Sequence, residues 1–460
     1  MKTLWIFIGV LICLQHASAQ EKNTLDSNTT LLESLRSGSM HGQVRLFTSV
    51  TDNIEPLTDF WAQGVAFSAV FHSKFWHHFQ FSIGGSHVFN LGSSDLSKPD
   101  PITQQFNRYE IGLFDVTDPR NRKNMSRLEI LNARFEKGKT SIVFGRQSVT
   151  TPFINPQDGR MRPTFVEGLV VKHNTQSAYH MQAGWIYALS VRGSQIFESV
   201  DRSIGLYPQG VQADGLRSSY HNNIQSKGIF WASAEKKMND GSIIQIWNQW
   251  VENLFNVALI QADMVLKKTE QHPWILSGQF IRQDAIHAGG NLDPAHTYIL
   301  KGTGANAFGF RLKRNAQHHE FALSYTRITK KGRLLLPREW GRDPFFTFMS
   351  RERNEGYGDV HAFRIHWQKN QIKPNLMISW DAGYYKLPDV NHVLLNKYGF
   401  PSYAQSNIDI RYKFQKRWEG LEAQLLLVGK KRIGNNYENN RFVLNKVDMI
   451  LYNFILNYSF

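Results

Sequence analysis

The chain has 460 residues, with 53 Lys and Arg against 38 Asp and Glu, a formal net charge of +15 and a single cysteine. One cysteine excludes a disulfide framework. A basic balance on an exported chain points to anionic lipid surfaces or anionic solutes rather than nucleic acid, although solvated surface lysines account equally for much of the charge.

The chain opens with Lys2, an apolar run over residues 4 to 14, and Ala17-Ser18-Ala19. That order predicts a secretory signal peptide over residues 1–19. The run is too short for a membrane anchor, which needs about 20 apolar residues. Cys13 follows Ile12, where lipoprotein processing wants a small residue, so the only cysteine leaves with the signal. Residues 20–38 read as a polar leader and 39–460 as one further unit. Later apolar runs are too short for a spanning helix; residues 421–429, for instance, are interrupted by Glu422 and Gln424. Spanning by strands needs only about 9 to 11 residues with one apolar face.

A period of two then recurs along the chain. Phe308, Phe310 and Leu312 alternate with Arg311 and Lys313; Phe363, Ile365 and Trp367 with Arg364, His366 and Gln368; Ile408, Ile410 and Tyr412 with Asp409, Arg411 and Lys413. Such alternation predicts strands with one greasy, aromatic face and one polar face. Short turns such as 136–139 and 236–241 separate long polar stretches at 91–106, 193–227, 283–304 and 329–359. Unequal connections at the two ends suit an antiparallel transmembrane β-barrel, which has short periplasmic turns and long extracellular loops. A soluble sandwich would share the alternation of any one strand. Export without disulfides, aromatic residues near strand ends and a pattern that persists to the last residue favour the barrel. In the final strand Ile450, Tyr452, Phe454, Leu456, Tyr458 and Phe460 share one face. They are expected to face lipid while the strand closes the barrel against residues 42–47. At about 24 residues per strand and connection, the unit holds roughly 16 to 18 strands, enough for an aqueous channel.

The stretch GRQSVTTPFINPQDGRMRPTFVEGL, residues 145–169, breaks the pattern. Its prolines make it a poor central strand, and it concentrates Arg146, Asp158, Arg160, Arg162 and Glu167. It reads either as a surface excursion or as a loop folded into the lumen. With LPREWGRDPFFT at 336–347 and the terminal strand, it resembles the OprD-like family of outer-membrane porins. The resemblance implies 18 strands, an inward-folded constriction loop matching residues 147 to 168, and passive diffusion of small, often carboxylate-bearing solutes. It also implies a basic lumen row at Arg364, His366, Arg411 and Lys413, with His366 and Lys413 departing from the usual Arg. The terminal Phe460 and Tyr458 resemble the signal read by the barrel-assembly machinery.

Read without the family, each basic pair lies two apart on one strand face and stacks along the pore axis at about 6 to 7 Å. Such a row concentrates anions; alternatively, the pairs are neutralised by Asp409 and Asp381. An enzyme is not expected: there is no G-x-S-x-G elbow, no cysteine nucleophile, and no histidine at a metal-ligand spacing. No cofactor or metal is called for. The expected partners are small solutes, outer-membrane lipid and lipopolysaccharide, and the assembly machinery, with the chain a monomer or a weak trimer. Oligosaccharide uptake, a non-transporting adhesin or a lipase-like barrel are the competing readings.

Overall fold

The computed structural model describes residues 30–120, 124–156, 160–175, 178–266, 271–351, 353–370 and 375–460. The expected signal peptide, residues 20–29 of the leader, and Asp158 lie outside the described residues. The rest of the leader contains a short helix, α1 (Leu31–Arg36), capped reciprocally by Thr30 and Glu33. It is tied to the barrel by Lys74 N donating to Ser34 O at 3.0 Å.

Nineteen strands follow among the described residues. The first seven are β1 (Ser39–Asn53), β2 (Phe60–His72), β3 (Phe79–Ser93), β4 (Met125–Lys137), β5 (Thr140–Gln147), β6 (Phe165–Asn174) and β7 (Tyr179–Ser190). Next come β8 (Glu198–Ser199), β9 (Ile229–Lys237), β10 (Ile243–Val251), β11 (Phe255–Leu266), β12 (Trp274–Ala285) and β13 (Gly304–Ala316). The last six are β14 (His319–Ile328), β15 (Val360–Lys369), β16 (Leu376–Lys386), β17 (Tyr403–Lys413), β18 (Leu421–Arg432) and β19 (Met449–Ser459). The two-residue β8 only flanks β7, which pairs directly with β9, so the wall itself is a closed antiparallel barrel of 18 strands. Closure leaves no open edge for unpaired backbone groups, as a hydrocarbon environment requires.

The seam joins β1 to β19 from Gln43 opposite Ser459 to Asn53 opposite Met449, in the region expected from the sequence. Gly42 N donates to Phe460 O at 2.9 Å and Phe460 N returns a bond to Gly42 O at 3.1 Å. The approach at Gly42 is close: a Cβ there would stand 2.2 Å from the Phe460 ring, which would have to shift.

Along β19, Ile450, Tyr452 and Phe454 are exposed while Leu451, Asn453 and Ile455 are buried, the alternation of a strand with lipid on one side. The same parity holds on β15, where Phe363 and Ile365 point outward, and on β13, where Phe308 and Phe310 do. The turns after β4 and β9 are short, at one rim. Segments 94–124, 148–164, 191–228 and 329–359 leave from the opposite rim. Much of the buried apolar interior lies where these long segments fold back into the barrel, around Trp340, Phe114, Ile154 and Ile204.

Candidate functional site

The inward-folded segments lean on the polar lumen face of the wall. Residues 329–359 reach across it. Gln279 of β12 donates to Pro344 O at 3.2 Å, Tyr385 of β16 to Thr347 O at 2.8 Å, and Gln405 of β17 to Ser350 O at 2.9 Å. The Arg351 guanidinium donates to Asn453 of β19 at 2.8 Å. Residues 94–124 dock on β1, where Thr51 and Ser49 donate to the buried Glu110 carboxylate at 2.7 and 3.1 Å. Burial pushes the Glu110 carboxyl above its usual range against those bonds and the nearby Arg160. Each contact satisfies a polar group that the strand alternation turns inward.

The segment 148–164 also folds inward, tied down by a charged triad. Glu129 of β4, only 2% exposed, accepts from Arg127 Nη2 at 2.8 Å and from Arg162 Nε at 2.9 Å. Arg127 also donates to the carbonyl oxygens of Pro163 and Val191, joining two inward segments to one wall strand. Arg160 has φ +43°, and its carbonyl accepts from Arg45 of β1. Asn155 links this segment to the next: its N–H donates to Trp340 O at 2.9 Å and its side-chain oxygen accepts from Arg342 N at 3.1 Å.

The remaining members of the sequence cluster sit elsewhere. Arg146 and Glu167 are cross-strand partners on β5 and β6, joined at 3.1 Å. Arg146 shares its side of the wall with Phe144 and faces Leu131, both exposed apolar residues. Its guanidinium lies 4.3 Å from the Phe197 ring. This pair therefore belongs to the outer face near the loop-bearing rim, not to the lumen, because Arg146 follows Phe144 by two residues on one strand.

The four basic wall residues face inward, each near a carboxylate. Arg364 Nε donates to Asp381 Oδ1 at 2.7 Å, and His366 Nδ1 lies 2.7 Å from the same oxygen. Arg411 Nη2 stands 2.8 Å from Asp409 Oδ2, and Lys413 Nζ 4.0 Å from Glu422. The pairing with Asp381 and Asp409 weighed from the sequence is thus the arrangement found.

A dense positive lining gathers where the long segments meet. A cavity of 360 Å³ is lined by Arg108, Arg160, Arg192, Arg217, Arg338, Arg351 and Arg353, and among the described residues no carboxylate side chain lines it. The nearby Glu339 and Glu355 are buried behind it. Glu339 accepts from the backbone of Gly205 and Tyr207 at 3.0 and 2.9 Å, and Glu355 pairs with Arg338. Guanidinium groups are fixed positive charges with planar donor forks, matched to carboxylates and phosphates. Except for Arg160, sequence reasoning missed these residues, because they come from four separate irregular segments with no shared period.

A closed barrel of 18 strands, inward-folded segments and an arginine-lined cavity define an outer-membrane porin. The model of the "outer membrane porin, OprD family" matches residues 105–337, about half of the chain, and the chain belongs to that family. Among solved structures, Pseudomonas aeruginosa OccK9 (OpdG) is similar at TM-score 0.71 and 13% identity, over 93% of this chain and 99% of that one. P. aeruginosa OpdK is similar at TM-score 0.69 and 14% identity, over 93% and 99%. Acinetobacter baumannii OccAB4 is similar at TM-score 0.69 and 15% identity, over 92% and 98%. Comparison with curated proteins gives no match. The chain is thus a porin of the outer membrane, in a family of channels.

Proposed function

We propose that this porin passes small hydrophilic solutes bearing a negative charge, carboxylates such as amino acids and related nutrients, by passive diffusion and without catalysis. The observation that supports this reading is the cavity lined by seven arginines. A positive, confined passage raises the local concentration of anions. Arg364, His366, Arg411 and Lys413 then act as wall charges along the route, each weakened by its acidic neighbour. The OpdK structure was solved with vanillate, in keeping with this class of solute. The proposal takes residues 1–19 as the export signal, 20–38 as the leader and 39–460 as the barrel. It also takes Tyr458 and Phe460 as the assembly signal, and the working unit as a monomer or weak trimer.

Planar-bilayer recordings in a salt gradient test it. The wild-type channel should prefer anions at 0.1 M salt. Arg192→Glu with Arg217→Glu should move the reversal potential toward cations, and the shift should shrink at 1 M as the Debye length falls from about 10 to 3 Å. The same reversal at Arg411 and Lys413 should act less, since Asp409 and Glu422 already offset them. Equal permeability of anions and cations at low salt in the wild type would overturn the reading.

A further inference from the structure

We propose that the outer surface of β14 to β16, at the rim bearing the long loops, is a binding site for the phosphorylated headgroup of lipopolysaccharide. Three side chains in register there, Arg327, His361 and Lys386, stand above an apolar groove that takes its acyl chains.

The site is a set of layers on the lipid side of the wall. Arg327 lies opposite His361, and His361 opposite Lys386. One step toward the membrane centre, Tyr325, Phe363 and Tyr384 form the next row in the same register, with the Tyr325 and Phe363 rings 4.8 Å apart. One step further, Leu323, Ile365 and Ala382 form an aliphatic row. All are on the outward parity, shown by Leu323, Phe363, Ile365 and Tyr384, which are 42%, 49%, 42% and 37% exposed. Below the cationic row these residues, with Leu276 and Phe310, line an open depression of 640 Å³ on the outer wall.

A lipid-facing Arg or Lys is costly at the membrane centre and cheap near the interface, so cations are tolerated at this level and stand where anionic groups of the outer leaflet can meet them. Charge complementarity identifies the occupant. The long-loop rim borders the outer leaflet, and lipopolysaccharide combines phosphates with several acyl chains at that level. The charged groups around His361 are Arg327, Lys386 and Asp359. Asp359 holds the Arg327 guanidinium at 2.5 Å, fixing it at the rim, and leaves the cluster with a positive balance. The His361 Nδ1 lies 2.8 Å from the Tyr325 hydroxyl. When that hydroxyl donates, Nε2 is the ring's remaining donor. Lys386 is exposed at the end of the row. On the other side of the barrel, the outward residue of β1 near this rim is the exposed Asp52.

The test uses the full-length barrel in detergent micelles, titrated with bis-phosphorylated lipid A and with the same lipid stripped of its phosphates, followed by native mass spectrometry. The wild type should hold the phosphorylated lipid at least tenfold more tightly. Lys386→Glu with His361→Gln should remove about that factor, since it replaces the attraction of the exposed Lys386 by a repulsion and takes away the imidazole hydrogen-bond donor. Heat-modifiability and single-channel conductance should stay at wild-type values, which separates loss of the site from loss of the fold. If the conductance of the double variant changes, Lys386→Gln alone serves, with a smaller expected loss. Equal binding of the two lipids, or unchanged binding by the variants, would overturn the proposal. Displacement of the lipid by millimolar inorganic phosphate would likewise overturn it, by showing a simple anion site.

Discussion

Replacing Glu129 by Gln should loosen the inward segments while leaving the barrel closed. In the native protein this carboxylate accepts from Arg127, Arg162 and Ser86 at 2.8, 2.9 and 2.7 Å. The side chains of Glu129, Arg127 and Arg162 are 2%, 4% and 15% exposed. Removing one partner of a buried ion pair costs about 3 to 5 kcal/mol, because the other charge is left buried. Arg162 has access to lumen water, and Arg127 keeps its carbonyl acceptors, so the loss should fall near the lower end, about 3 kcal/mol. That is roughly a hundredfold in the equilibrium between docked and undocked segments. Hydrogen exchange at residues 160–164 and 191–194 should accelerate by that order, and single-channel records should gain flicker at low salt. A cycle with Arg162→Gln should show strong coupling between the two sites. Exchange and current noise equal to wild type would refute the idea that this triad holds the segments in place.

Other expectations follow from the wall and its loops. Phe454→Arg places a charge on the lipid face of β19 and should cost about 2 to 4 kcal/mol, seen as less heat-modifiable folded protein in the outer membrane. Deleting Phe460, or replacing Tyr458 by Asp, should lower the same yield without altering the conductance of barrels that do form. Burial raises the Asp343 carboxyl to about 6 from an ordinary 3.8, opposed by the Asn354 N–H and Arg353. The folded state therefore binds the proton more readily, and stability of the 338–355 segment should fall as pH rises from about 4 through 6. Asp343→Asn should flatten that dependence, measured as hydrogen-exchange protection at pH 5 against pH 7.5.

The barrel was legible in the sequence because lipid on one side and water on the other impose a period of two that loops do not share. Phe363, Ile365 and Trp367 reveal their side of β15 without any partner strand, and the apolar parity of β19 carries through to its end. The lumen charges were harder. That Asp381 neutralises Arg364 and His366 depends on the register of β15 with β16, and register is a property of two strands and a turn. Arg146 shows a signal that was present and could have been used: its spacing from Phe144 already assigns it to the lipid side. The arginine cavity had no such signal, since Arg108, Arg217 and Arg338 meet only after three long segments have folded back into the barrel.

The seam between β1 and β19 has a kinetic meaning. Its partners, such as Gln43 and Ser459, are separated by about 400 residues, whereas neighbouring strands elsewhere are joined by one connection. Chain entropy opposes such a long closure, and non-local pairings form slowly. Until it forms, both terminal strands carry a row of unpaired N–H and C=O groups that hydrocarbon cannot satisfy. The contact of the Phe460 ring with Gly42 is therefore a long-range one, made only where the two ends of the wall meet.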